Sequence, residues 1–418
     1  MNKDQVVYIH SQELLDVCDK LPANLGRATQ IHSLIEAYGL LEKLVVVAPI
    51  RASNEALQEF HGEDYVTFLS TVERLAEEQE DGQLTVRDED VIEQCAENGL
   101  EDDCSVFPGL FRYVTLVSGG SITAAKLLVA QRARIAIHWN GGRHHGNAQV
   151  PHCFWCFVFL FSFFFQRPKL CLFLRDKASG FCYTNDVVLG ILELRKKFSR
   201  VLYVDIDVHH GDGVERSFQY SPSVMTISFH KHDLGFFPGT GSLKERGKGE
   251  GKNFTVNVPL KGGMNEATFV PLFTGILDSV AKRFMPEAVV MQCGADALAG
   301  DPTHAFNLSS ACYGQCLRQI LRWDLPTLVL GGGGYNNLLT AKCWTLLTAV
   351  CLEDLTLPAK PYAGLSEDLP DHDLLPSYNG EYTLPVKAGN MRNENTPEDL
   401  KAIQEAVLKT LEELPPPE

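Results

Sequence analysis

The 418-residue sequence has no apolar run long enough to cross a bilayer as a helix. The uncharged core of its most apolar segment, CFWCFVFLFSFFF at residues 153–165, spans 13 residues, against the roughly 20 that a spanning helix needs. The start, MNKDQVVYIH, lacks the basic and long apolar regions of a signal peptide and reads as an opening strand. No Ser/Gly/Pro-rich linker and no internal repeat divides the chain. The 12 cysteines have no framework spacing, so free thiols in a reducing compartment are expected. A basic stripe is missing too. Lys and Arg number 37 against 53 Asp and Glu, and the short Arg195–Lys197 group is too small to grip a phosphate backbone, so direct nucleic-acid binding is not expected. Nothing marks an oligomeric state.

The net charge of −16 is concentrated. Residues 73–103 hold 13 Asp/Glu and two Arg. The plain reading is a solvated acidic face, and the sharper one is a surface that attracts basic peptides.

Strand-length apolar runs recur at 6–10, 44–47, 135–139, 201–207, 224–229, 288–293 and 327–330. Their β-branched residues leave neither face polar, which suits parallel strands covered on both sides. Helical patterns separate them at 64–77, 118–131, 186–197, 266–283, 310–322 and 338–351. This alternation predicts an α/β fold around one large parallel sheet. The polar stretch 357–395 is expected to wrap the surface, and Thr396-Pro397-Glu398-Asp399 opens a last helix.

Polar clusters follow several of these strands: HWNGGRHHG, VDIDVHHGDG, QCGADALAGDP and VLGGGGYNN. Ligands of open parallel sheets bind at those carboxyl ends. In VLYVDIDVHHGDG, strand alternation would turn Asp205, Asp207 and His209 to one face. Buried carboxylates on an apolar strand are costly without a cation. Asp296 is the best third ligand from another strand end. One imidazole and two carboxylates leave a coordination position for water, as in catalytic sites. The nitrogen ligand disfavours calcium and magnesium and puts zinc first, with ferrous iron second. His144 and His145 sit in a Gly-rich loop at the same rim, with Asp205 and Asp212 placed to fix their tautomers. Tyr335 follows four glycines and could donate to a developing oxyanion. Those glycines are not a phosphate loop, since no Lys-Ser/Thr follows.

With these pieces assembled, the chain resembles the zinc-dependent class I histone deacetylases. The resemblance runs from about Val6 to Val350 and is carried by HSLIEAYGL, GGRHH, ASGFCYTNDVVLGIL, DIDVHHGDGVE, FFPGTG, QCGADALAGDP and GGGGYN together. It implies the arginase/deacetylase fold, an eight-stranded parallel sheet with helices on both faces, as one catalytic domain over 1–418 with a core at about 6–350. It implies hydrolysis of N6-acetyl-lysine, in histones and other proteins, to lysine and acetate. By position, Asp207, His209 and Asp296 match the zinc ligands, His145 the general base and acid, and His144 its companion. Asp205 and Asp212 match the carboxylates behind the histidines, and Tyr335 the carbonyl-polarising tyrosine. Phe181 and Phe237 match the walls of the lysine channel, Gly180 the channel glycine, and Asp103 the rim carboxylate that holds the substrate backbone. Potassium is implied beside the zinc, at Asp205, Asp207, His209, Ser228 and Phe229. Acetylated lysine peptides such as histone tails are the implied partners, and nucleus and cytoplasm the implied compartments.

Three departures stand out. Arg143 precedes the histidine pair, where the resemblance implies an apolar residue, so acetate escape or inhibitor fit is expected to change. Thr303 replaces Met or Leu near the channel wall. The long charged tail of several class members is missing.

The fourth peculiarity is an insert at about 147–174, where the family has a handful of residues. Its C-x-x-C, Cys153 and Cys156 with His152 nearby, has no second pair to complete a zinc site. Its Phe, Leu, Ser, Cys and Pro content matches translation of a pyrimidine tract, and the preferred reading is a retained intron. The alternative is a genuine hydrophobic loop, which would need a partner. Two other functions stay open: an acetylpolyamine hydrolase, and an inactive acyl-lysine binding module in which the insert displaces His144, His145 or Phe181.

Overall fold

The computed structural model describes residues 5–78, 84–147 and 176–415. Their organising element is one sheet of eight strands. These are β1 (Val6–Ile9), β2 (Val45–Val47), β3 (Ile135–His138), β4 (Val201–Asp205), β5 (Val224–Lys231), β6 (Thr255–Leu260), β7 (Ala288–Gln292) and β8 (Thr327–Leu330). They are hydrogen-bonded in the order β2-β1-β3-β8-β7-β4-β5-β6, and every pairing is parallel. The expected α/β architecture is the one adopted.

The apolar runs work as the pleat requires, with alternate residues entering opposite layers. Tyr8, Ile137, Leu202, Val204, Met291 and Val329 face one core, built with the helices Arg27–Ala37, Glu266–Phe284, Ser310–Leu321 and Asn337–Cys351. Val7, Ile9, Ala136, Val201, Tyr203, Val290 and Leu328 face the other, under Leu110–Val129 and Asp186–Arg195. A third core joins Gln12–Cys18 and Glu63–Leu75 to the first half of Leu110–Val129.

Two elements differ from the sequence reading. β6 was not among the expected strands, because Asn257 and Pro259 interrupt its apolar pattern. Its place at the sheet edge explains the tolerance, since a proline there costs no inner ladder bond. The helix expected at 118–131 begins at Leu110, and its early residues are buried on nearly every side rather than on one stripe. The last helix, Pro397–Glu412, carries the expected start, with Thr396 and Asp399 forming a reciprocal capping box.

The nine described cysteines are buried and unpaired. Among the described residues no helix is long and apolar enough to cross a membrane. The insert beyond Asn147, with Cys153, Cys156 and His152, lies outside the described residues. Its two flanks meet, however: Asn147 and Lys177 exchange both backbone hydrogen bonds at 3.1 Å.

Candidate active site

Four adjacent strands, β3, β8, β7 and β4, end on one line through the middle of the sheet, and each feeds one polar loop to the same point. The pairs His138↔Leu330, Leu330↔Gln292 and Gln292↔Asp205 set that line. Residues up to 191 positions apart in the chain, from His144 to Tyr335, are thereby brought together.

Strand alternation does not place Asp207 and His209, because β4 stops at Asp205. The chain bends instead, and the carboxylates hold the bend. Asp205 Oδ1 accepts from the Asp207 N–H at 3.0 Å, and Asp207 Oδ1 accepts from the His209 N–H at 3.0 Å. Asp296, in a short turn at Ala295–Ala297 after β7, closes the group. His209 Nδ1 lies 3.2 Å from Asp207 Oδ1 and 3.0 Å from Asp296 Oδ2. Ligand atoms of all three fall within 4.8 Å of one another.

This donor set fits a divalent metal. The two carboxylates are fully buried and compete. Burial and then the charge of Asp207 push Asp296 up, whereas His144 and His209 overcome burial to hold Asp207 down. Such a pair needs a cation. Their remaining oxygens are aimed by backbone and amide donors. Asp207 Oδ2 accepts from the Gly333 N–H at 2.8 Å and from Gln292 Nε2 at 2.9 Å, and Asp296 Oδ1 accepts from the Val208 N–H at 2.8 Å. Gly333 has to be glycine, since a Cβ would collide with Asp296 Oδ2.

Asp205 stands behind this group. Its Oδ2 accepts from Tyr203 Oη at 2.6 Å and lies 2.8 Å from His144 Nδ1. Asp212, at the start of the helix Asp212–Phe218, makes the matching 2.8 Å contact with His145 Nδ1. The two imidazoles, 4.0 Å apart between ring centres, differ in charge. Burial opposes a proton on His144, but Asp205 and then Asp207 outweigh it and hold the pKa up at about 9. Burial and then the charge of His144 outweigh Asp212 at His145, whose pKa falls to about 4. The two dyads bias the pair in opposite directions, His144 toward the protonated form and His145 toward the neutral one.

The aromatic residues singled out in the sequence stand beside these groups. The Phe237 ring meets His145 edge-on at 4.9 Å, and the Phe181 ring lies 5.6 Å from that of Tyr335. Gly180 and Phe181 both take left-handed backbone, with φ of 54° and 60°. Asp103 accepts from the Gly180 N–H at 2.9 Å, so this exposed carboxylate braces the Gly180–Phe181 turn. The Tyr335 backbone N–H donates to Asp301 at 2.7 Å, and burial keeps its phenol protonated. Ser228 sits opposite Asp205 in register, with its hydroxyl 2.9 Å from His230 Nδ1. Phe229 packs its ring against Phe269 and Phe273, which leaves only its backbone carbonyl for a cation. The Thr303 hydroxyl donates to the Asp296 carbonyl at 2.8 Å.

Sequence reasoning missed Gln292, Tyr203, Asp301 and Arg27. Gln292 carried a faint signal, a polar residue ending an apolar strand. Arg27 carried none. It is 3% exposed and donates to the carbonyls of Gly332 and Gly334, about 300 residues away.

Comparison with known proteins agrees with this geometry. The histone deacetylase domain model matches residues 21–158 and 173–351, breaking inside the insert. Histone deacetylase 8 of Xenopus tropicalis is 40% identical over 402 residues, covering 96% of both chains. Histone deacetylase 8 of Danio rerio is 40% identical over 95% of this chain and 93% of its own. Histone deacetylase 1 of Homo sapiens is 36% identical over 94% of this chain and 72% of its own. With that domain match covering every strand of the sheet but β1 and taking in the Asp/His/Asp group, the chain belongs to the histone deacetylase family, in its class I branch.

Proposed function

We propose that this protein hydrolyses N6-acetyl-lysine in histones and other proteins to lysine and acetate, in a metal-dependent reaction. The observation that carries this reading is the pair of His–Asp dyads, His145–Asp212 and His144–Asp205, converging on Asp207, His209 and Asp296. These three residues would hold the metal, zinc first and ferrous iron second. When bound, it supplies a Lewis acid that polarises the amide carbonyl and acidifies water.

The chain's own groups do the rest. His145 presents Nε2 as the free base, because Nδ1 is taken by Asp212. It accepts the proton of the attacking water and returns it to the departing lysine amine. His144, held cationic by Asp205, stabilises negative charge on the tetrahedral carbon's oxygen, and the Tyr335 hydroxyl donates to the same oxygen. Phe181, Phe237 and Gly180 form a narrow apolar passage for the uncharged acetyl-lysine stem, and a free lysine would have to desolvate its charge there. Asp103 steadies that passage and holds the substrate backbone. Asp205, Asp207, His209, Ser228 and the Phe229 carbonyl would hold potassium behind the metal. Histone tails suit the acidic stretch 73–103, which ends at Asp103 beside Gly180, and nucleus and cytoplasm are the proposed compartments.

The insert at 147–174 is proposed to be a translated intron rather than part of the working enzyme. The break in the domain match at 159–172 and the backbone bridge between Asn147 and Lys177 both support this. No feature of the described residues favours the acetylpolyamine or binding-module readings. Acetate release from an acetyl-lysine peptide by the zinc-loaded chain, measured with and without residues 147–174, tests the proposal. Turnover by neither chain would overturn it.

A further inference from the structure

We propose that Asp301 is a positioning residue for Tyr335, registering the turn that carries its hydroxyl to the loop that carries Asp296. What the hydroxyl does rests on the deacetylase reading. The link between the two loops does not.

Asp301 is 2% exposed, and among the described residues its carboxylate makes no ion pair. Backbone donors take it up instead. Its Oδ1 accepts from the Thr303 N–H at 2.9 Å, and its Oδ2 accepts from the Tyr335 N–H at 2.7 Å. Thr303 in turn donates its hydroxyl to the Asp296 carbonyl at 2.8 Å. One side chain thus joins the loop after β7, which holds a candidate metal ligand, to the loop after β8. Asn336 spans the same gap, since its amide donates to the Gly300 carbonyl at 3.5 Å while its Oδ1 caps the helix Asn337–Cys351. The dipole of that helix favours a carboxylate beside its N-terminus. Burial raises the Asp301 pKa, and the N–H groups of Thr303 and Tyr335 oppose the rise.

Tyr335 needs such a hold. Among the described residues nothing hydrogen-bonds its hydroxyl, which leaves that group free for a ligand but gives it no anchor. The ring has aromatic neighbours only at a distance, Phe181 at 5.6 Å and His209 at 6.4 Å between centres. Arg27 secures the glycine loop as far as the Gly334 carbonyl, and at Tyr335 itself the backbone N–H is held by Asp301. A donor stabilises an oxyanion only when it is aimed at the place where charge develops. A misplacement of roughly 1 Å costs about 100-fold in rate. Both Asp301 oxygens are needed as acceptors. An asparagine there would set its amide hydrogens against one of the two backbone N–H groups.

The test places 3-fluorotyrosine at position 335 of the zinc-loaded full chain, and in a control at the buried Tyr8. Wild type, Asp301→Ala and Asp301→Asn are compared by fluorine NMR. The resonance at 335 is expected to shift or broaden in both variants, while that of Tyr8 stays in place. An unmoved resonance at 335 overturns the proposal, and so does an equal disturbance at Tyr8. Turnover of an acetyl-lysine peptide is then measured, in the full chain or in the chain lacking residues 148–174. Asp301→Ala is expected to lower kcat about 10- to 100-fold with KM within about twofold and zinc retained, and Asp301→Asn to fall between. In a Tyr335→Phe background the same Asp301→Ala change should cost about twofold or less, because the group it aims is gone. Equal losses in the two backgrounds, or zinc lost in step with activity, overturn the proposal. Should the alanine variant fail to fold, the asparagine variant decides. If no chain hydrolyses the peptide while the resonance at 335 still responds to Asp301, the deacetylase reading fails and the link between the loops stands.

Discussion

Asp212 Oδ1 lies 2.8 Å from Nδ1 of His145, and the opposite oxygen of the same carboxylate lies 3.3 Å from Arg216. Asp212 therefore fixes which imidazole nitrogen carries hydrogen and leaves Nε2 facing the reaction. His145 acts as a base only when neutral, so kcat/KM should fall as pH drops through its pKa. That pKa is depressed to about 4 by burial and by His144. Asp212 works in the opposite direction. In Asp212→Asn the acid limb should move to lower pH, while kcat falls about 10- to 100-fold with little change in KM. A pH–rate profile on a fluorogenic acetyl-lysine peptide checks both. An acid limb moving upward would contradict the assigned order of effects.

Asp207→Asn and Asp296→Asn should each lose bound metal, read by elemental analysis of the purified protein, together with turnover. Chelation of the wild-type chain should lower Tm as well, because a ligand present at about 100 times its Kd stabilises the folded state by about 2.7 kcal/mol. An unchanged Tm after complete metal removal would count against Asp207, His209 and Asp296 as the site.

Gly333→Ala would push a Cβ into Asp296 Oδ2 while disturbing the N–H that holds Asp207. Metal affinity should fall about 10- to 100-fold, the usual scale for lost ligand orientation. Competition with a chromogenic chelator measures it, and wild-type affinity in this variant would remove the loop from the account.

How much of this was legible in the sequence depends on the range of each signal. The strands with unbroken apolar runs were visible, and so were the polar loops behind them. β6 was hidden by Asn257 and Pro259, which an edge position tolerates. Asp207 and His209 were identified for a reason that does not hold. They follow the end of β4 and converge through backbone bonds to Asp205 and Asp207, not through strand alternation. Gln292 and Arg27 act on partners far away in the chain, and local pattern carries no trace of such pairing. Thr303 was read as channel wall, yet its hydroxyl braces Asp296.

His138 offers a stability test away from the catalytic groups. It is fully buried, and burial lowers its pKa to about 4 from 6.5. The unfolded chain therefore binds the proton first as pH falls. The stability this group contributes is present above pH 6.5 and is lost progressively between about 6.5 and 4, up to roughly 3 kcal/mol. Urea melts across that window should show a shallower decline in His138→Gln than in the wild type, by up to one proton per molecule. Parallel slopes would show that His138 is charged in the folded state.

Removing residues 148–174 should leave a foldable chain, since Asn147 and Lys177 already pair across the gap. Deleting 148–174 and retaining Asn147 keeps that pairing intact. A Tm no lower than that of the full chain is expected from circular dichroism, whereas a fall of several degrees would mark the segment as part of the fold.

The most direct measurement is acetate released per enzyme from an acetyl-lysine histone peptide, by the zinc-loaded chain lacking the insert and by its His145→Ala variant. Repeated turnover by the former, and loss of at least about 100-fold by the latter with zinc retained, is the predicted result. Equal turnover in both, or turnover that survives complete zinc removal, would contradict the account.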